Sequence, residues 1–304
     1  MSDLKVIVQN AQNAGIAIPA FNVPYLPMTE PVIRAVVDQN SFALIETARL
    51  EWLKFEAGSP SAVAKEYFRW QDPDHIRLHL DHVPVIDEDG SQVDYLSIIR
   101  QAIDLGYHSV MVDGSRLPLA ENIAATRQVA NLAHKAGIPC EAELGAVLGH
   151  EAGPLPPYEE LFASGLGFTR VDEAGRFVHE SGCDWLSVAI GNIHGAISAG
   201  VKDKKKVAAR LDLEHLQRLF EITSVPLVLH GGSGIPQNYV LASFKKGIAK
   251  INIATEIRQA YETALQSTGK VSAAQEAVYV RTSWLIGDYF GLNGTQPLLL
   301  QEPL

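Results

Sequence analysis

Short apolar runs alternate with longer stretches of helical period from one end of the chain to the other. The first four runs are GIAIPAFNV (15–23), SFALIETA (41–48), IRLHLDHV (76–83) and SVMVDGS (109–115). Four more follow: PCEAELG (139–145), WLSVAIG (185–191), VPLVLHG (225–231) and IAKINIAT (248–255). Runs of this length, nearly continuous in apolar residues, read as strands buried on both faces. Between them, segments such as DYLSIIRQAIDLG (94–106) and AENIAATRQVANLAHKAG (120–137) carry apolar residues with helical period and end in a glycine placed to cap them. Eight β-α units in 304 residues predict an α/β chain folded as one (β/α)8 barrel, domain 1–304. A doubly wound open sheet is the competing arrangement, but no G-x-G-x-x-G follows the first run. The longest stretch without period is 145–168, after the fifth run, and it is expected to be a lid over a site rather than a domain boundary.

Charge and composition narrow the function. The formal net charge is −10 and no long basic run is present, which disfavours nucleic acid and anionic membrane surfaces as partners. The one dense basic patch, KDKKK at 202–206, reads as a solvated loop or as a basic cover for an anionic substrate. No apolar run approaches the roughly 20 residues needed to span a bilayer. Cys140 and Cys183 match no pairing or metal spacing, and the first residues are amphipathic, without the apolar centre of a signal peptide. A cytoplasmic protein is expected.

In a barrel of this kind the chemistry sits at the C-terminal ends of the strands. Those ends carry Asp81 and His82, Asp113, Glu141 and Glu143, His194, His230 and Asn252. Three histidines from three strand ends, converging on one rim, form the usual ligand set of a catalytic zinc site with an open position. Without a cation, crowded neutral imidazoles would leave acceptor nitrogens unsatisfied. Glycines follow two of these histidines, in IGNIHGA and LHGGSGIP, where backbone N–H groups can turn towards an anion. Gly231, Gly232, Ser233 and Gly234 lie after the seventh run and Thr255 after the eighth, the usual place of a phosphate in barrels.

The blocks IPAFNV, LHLDH, MVDGS, EAELG, VAIGNIHG, LVLHGGSGIP and KINIATE, in this order from about Ala17 to Ile257, resemble the class II, metal-dependent ketose-bisphosphate aldolases. NIATE is closer to the tagatose-type branch than to the fructose-type branch. The resemblance implies Zn2+ held by His82, His194 and His230, with Asp113 and Glu143 offering a second or displaced metal position, and leaves room for a monovalent cation. It implies Asp81 as the acid/base at the aldehyde oxygen, Glu151 in the lid as the second proton carrier with His150 as its substitute, and Asn252 against the ketose backbone. It places Gly195, Gly231, Ser233 and Thr255 on the phosphate of the dihydroxyacetone half, and Asn22 on the substrate. The implied reaction cleaves a ketose 1-phosphate or 1,6-bisphosphate to dihydroxyacetone phosphate and an aldehyde, a divalent cation stabilising the enediolate charge. A supporting, non-catalytic barrel subunit and another metal-dependent lyase or epimerase are the alternatives.

Departures from the family cluster on the aldehyde half. After the second run the chain reads IETARLEWLKFEAGSPSAV, in which Glu46 and Glu51 are poor company for a second phosphate and Arg49 pairs with a smaller anion or with Glu46. Arg281 in YVRTSW is the candidate for the arginine that relatives direct, often from a neighbouring subunit, at that phosphate. The C-terminal region, 268–304, with its apolar tail TQPLLLQEPL, is expected at the interface of a homodimer or homotetramer.

Overall fold

The computed structural model describes residues 3–147, 156–193, 209–232 and 234–301. Eight parallel strands close into a barrel in sequential order: β1 (Ile18–Asn22), β2 (Ala43–Ala48), β3 (Ile76–Pro84), β4 (Ser109–Asp113), β5 (Cys140–Leu144), β6 (Trp185–Val188), β7 (Leu227–Leu229) and β8 (Ile248–Ile253). All but β3 lie inside the predicted runs, and β3 overruns its own by one residue, Pro84. The last strand closes on the first with Ala20 opposite Asn252.

The described helices, in chain order, are α1 (Leu4–Ala14), α2 (Thr29–Asp38), α3 (Arg49–Lys54), α4 (Pro60–Trp70), α5 (Tyr95–Asp104), α6 (Leu119–Lys135) and α7 (Tyr158–Ser164). Then come α8 (Val171–Ser181), α9 (Leu213–Thr223), α10 (Gln237–Phe244), α11 (Thr255–Thr268), α12 (Val271–Trp284) and α13 (Gln296–Leu299). Just beyond α5 and α6, Gly106 and Gly137 take φ of 85° and 75°, the left-handed turn that lets each helix stop before the next strand. The aperiodic stretch 145–168 contains α7, so its later part is helix rather than irregular loop. Among the described residues no helix is long and apolar enough to cross a membrane.

Two apolar cores divide the strand faces. Outward residues such as Leu78, Leu80, Val110 and Val112 join the helices in the larger core. Inside the barrel a smaller cluster of Ile18, Ala20, Leu44, Trp185, Val228 and Ala249 is sealed by Leu4, Ile7, Val8 and Ala11 of α1. Asp3 caps α1 by accepting the Lys5 N–H, and this helix plugs one end of the barrel, which leaves the other end for polar side chains. The C-terminal tail returns to the closed end of the barrel. It packs on its own chain: Leu299 is buried in the cluster under α1, and the Asn10 amide donates to the carbonyls of Leu299 (3.0 Å) and Gln301 (2.9 Å). Leu300 packs partly against the same cluster, while Leu298 is exposed.

Candidate active site

Side chains alternate along a strand, so Asp81 and His82 ought to point to opposite faces. A bulge prevents it. Leu80 pairs with Val110 and Val83 with Val112, so that Asp81 and His82 together oppose the single residue Met111. His82 takes φ of 35°, in the left-handed region that non-glycine residues avoid. With the register slipped by one residue, both groups reach the same end of the barrel. Asp81 is buried between two amides: Asn22 donates to its Oδ2 and Asn252 to its Oδ1, each at 3.0 Å.

His230 approaches from the end of β7. Its Nδ1 lies 2.7 Å from His82 Nε2, while its Nε2 bonds Glu141 Oε1 at 2.8 Å. The Glu141 carboxylate therefore sets the tautomer, since a proton on Nε2 leaves Nδ1 as an acceptor. Donor atoms of Asp81, His82 and His230 lie within 4.8 Å of one another, and so do those of His82, Asp113 and Glu143. Two nitrogens on a tetrahedral zinc at about 2.05 Å would stand about 3.3 Å apart. Opening the histidine pair by a little over half an ångström meets that geometry, so the donor set fits a divalent cation. Glu143 accepts from Ser187 (3.2 Å) and stands 3.5 Å from His230 Nδ1, and Asp113 stands 3.7 Å from His82 Nδ1. The site also contains the two acids assigned to a displaced position.

Below this rim lies a fully buried cation that the motifs did not single out. Lys250 contacts Glu46 Oε2 at 3.1 Å and Glu141 Oε2 at 3.0 Å, and donates to Asn252 Oδ1 at 2.7 Å. His79, two residues before Asp81, bonds Ser109 Oγ at 2.7 Å and faces Glu141 Oε2 at 3.5 Å. The signal for these residues was present as charged or polar groups at every second position of otherwise apolar strands, His79 with Asp81 and Lys250 with Asn252. A polar interior layer shows itself in that way.

Burial acts on every carboxyl here, and its neighbours decide the outcome. For Glu141 burial works upward, but Lys250 and the two histidines bring it down to about 2, so it is ionised. Burial would also raise Asp81; His82, His230 and Lys250 hold it well below the usual carboxylate range. Burial, reinforced by Asp113, pushes Glu143 up to about 8, and Glu46 is likewise pushed well up by burial and Asp81. His230 is kept neutral by burial and the adjacent His82. His82 itself is raised, because Asp81 and Asp113 outweigh its burial.

Other expected residues fall differently. Gly231 takes φ of 66° directly after His230, and a Cβ on Gly232 would stand 2.9 Å from Ile251 Cδ1, so the backbone passes close over β8. Thr255 opens α11 at the same end. Glu46 is not at the rim: it faces Lys250 inside the barrel, because its position in β2 points inwards. Arg49 consequently pairs with Asp87, not Glu46. Arg281 lies on α12, where it pairs with Glu256 and stacks over Trp284, engaged by its own chain. His150, Glu151, His194, Gly195 and Ser233 lie outside the described residues.

The family model described as fructose-bisphosphate aldolase class-II matches residues 2–286. The chain belongs to that family. A fructose-bisphosphate aldolase of Streptococcus pneumoniae is 34% identical over 276 residues, which cover 90% of this chain and 85% of the relative. The corresponding Streptococcus pyogenes protein is 32% identical over the same share of each. Among solved structures, the YdjI aldolase of Escherichia coli K12 superposes with a TM-score of 0.75 at 29% identity, covering 97% of this chain and 99% of that one. A putative fructose-1,6-biphosphate aldolase of Coccidioides immitis gives a TM-score of 0.75 at 26% identity, with 96% of each chain covered. As a class II aldolase the protein is an aldehyde-lyase, of a family that is generally metal-dependent.

One acid of this aldolase site reports on pH. Glu51, in the first turn of α3, is buried and accepts the Ala48 N–H at 2.7 Å. Burial pushes its carboxyl from 4.5 to about 8. The fold thus favours the protonated form, and that contribution is fully present below pH 4.5 and is lost as the pH rises through about 8. Glu51→Gln keeps the acceptor without the charge. It is expected to unfold like the parent near pH 4 and to be more stable by roughly 3–5 kcal/mol at pH 9. Parallel urea-unfolding curves for the two proteins across that range would refute the assignment.

Proposed function

We propose that the protein is a zinc-dependent aldolase that cleaves a ketose 1-phosphate or 1,6-bisphosphate into dihydroxyacetone phosphate and an aldehyde. The observation that carries this reading is the bulge that turns Asp81 and His82 to one rim, with His230 2.7 Å from His82. His82 and His230 would hold the cation, together with His194, and Asp113 and Glu143 would receive it in a displaced position. When bound, the cation supplies positive charge to the oxygen that becomes negative as the C–C bond breaks.

The chain's own groups do the rest. Asp81, ionised and held by two amides, takes the proton from the hydroxyl that becomes the aldehyde oxygen, while the electron pair of the breaking bond passes into the enediolate. Glu151, or His150 beside it, returns a proton to the enediolate carbon. Asn252 is held by Lys250 and bonded to Asp81, so its first task is to orient that carboxylate. Gly195, Gly231, Ser233 and Thr255 would bind the phosphate through N–H and hydroxyl donors, and the chain would work as a homodimer or homotetramer in the cytoplasm.

The test is a coupled assay for dihydroxyacetone phosphate release by zinc-loaded protein, over fructose and tagatose bisphosphates and ketose 1-phosphates. His230→Ala is expected to lose stoichiometric zinc and at least 99% of the release. Absence of release from every substrate by protein containing zinc would overturn the reading.

A further inference from the structure

A cleft of about 650 Å3 opens directly beside His82, Asp113 and Glu143, between α3 and the connection that leads from β3 to α5. On the aldolase reading above, it is the space that the half of the substrate leaving as aldehyde would enter. Its wall is built by two ion pairs that join these segments. Arg49 is bound by Asp87, and Lys54 Nζ lies 2.7 Å from Glu88 Oε2. The connection that supplies the two acids is itself braced, Asp87 N–H donating to the Ser91 carbonyl at 2.8 Å and Ile86 bridging to Gln92. Asp89 adds a further negative charge, and Leu50, Leu53 and Val147 supply apolar surface.

A phosphate dianion in this cleft would have to take Arg49 from Asp87 or Lys54 from Glu88, and would then face the released carboxylates. Arg116, the remaining basic residue of the lining among the described residues, is exposed at the rim, where water and salt screen it. The carboxylates and the Ser115 hydroxyl are, by contrast, good acceptors for sugar hydroxyls. The volume falls within the 300–1,000 Å3 typical of small-molecule sites and exceeds the needs of a three-carbon fragment.

We infer that the aldehyde half carries no phosphate: the substrates are ketose 1-phosphates whose released aldehyde is an uncharged polyhydroxy chain. This inference rests on the aldolase reading above and concerns its specificity. Asp87, in pairing with Arg49, excludes the second phosphate and so determines specificity without touching the reacting atoms.

The experiment compares kcat/KM of the zinc-loaded protein for fructose 1,6-bisphosphate, fructose 1-phosphate and a seven-carbon ketose 1-phosphate. The parent is expected to favour the monophosphates by at least tenfold. Asp87→Ala, which frees Arg49, is expected to shift the ratio towards the bisphosphate by about tenfold, mainly through its KM. A parent that favours the bisphosphate overturns the inference and leaves the aldolase reading standing, as does an unchanged ratio in Asp87→Ala together with Arg49→Ala. Cleavage of none of the three, nor of their tagatose counterparts, overturns both.

Discussion

Lys250→Met will cost about 3–5 kcal/mol of stability. Lys250 is fully buried and is the only cation in contact with both Glu46 and Glu141 among the described residues. Methionine fills similar volume, so the loss is electrostatic rather than a cavity. Removing the ammonium leaves the Glu141 charge without a cation in contact, and Glu141 must either remain ionised while buried or take up a proton. A protonated Glu141 no longer holds the His230 tautomer, so zinc affinity is expected to fall by about 10–100-fold as well. Glu46→Gln is the informative partner, since burial and Asp81 push the Glu46 carboxyl well up and the neutral amide should therefore cost far less. Urea unfolding and zinc competition with a chelator read the two effects. A Lys250→Met protein within 1 kcal/mol of the parent, with unchanged zinc affinity, would show that the network is not held by this charge.

Asp81→Asn will lower the rate of dihydroxyacetone phosphate release by about 10²–10⁴ while zinc content stays near that of the parent. Both Asp81 oxygens accept from amide NH2 groups, of Asn22 and Asn252, so the asparagine side chain must turn a donor towards a donor. It therefore loses the base and the alignment together. The drop should appear in kcat, because the group acts on a proton in flight rather than on substrate binding. A variant that keeps a third or more of the parental kcat would remove Asp81 from the proton-transfer role. Asn22→Ala offers a graded comparison, for it frees one oxygen of Asp81 and leaves its charge.

Much of the fold was legible because the chain's patterns are local. The eight runs contain almost all of the strand residues, and Gly106 and Gly137 end their helices as their positions suggested. His82, His230, Asp113 and Glu143 were placed at strand ends by the same reading, and the barrel brings them together. Where the apolar tail packs within its own chain was not legible, since only the contact of Leu299 with α1 places it. Arg49 and Glu46 misled for a related reason. Three residues apart in sequence, they lie on an inward strand position and on the following helix, so the nearest charge in the chain is not the nearest in space.

What the sequence by itself determined is the alternation of strands and helices, and hence a barrel whose strand ends carry histidines and acids, because periodicity and capping act between residues a few positions apart. The tertiary structure alone decided that neighbouring Asp81 and His82 share one face, since a bulge depends on how β3 registers against β4. It also decided that Lys250, Glu141 and His230 form one chain of contacts, since those residues come from three different strand segments, β8, β5 and the end of β7. Their charges make sense only when water has been excluded from between them.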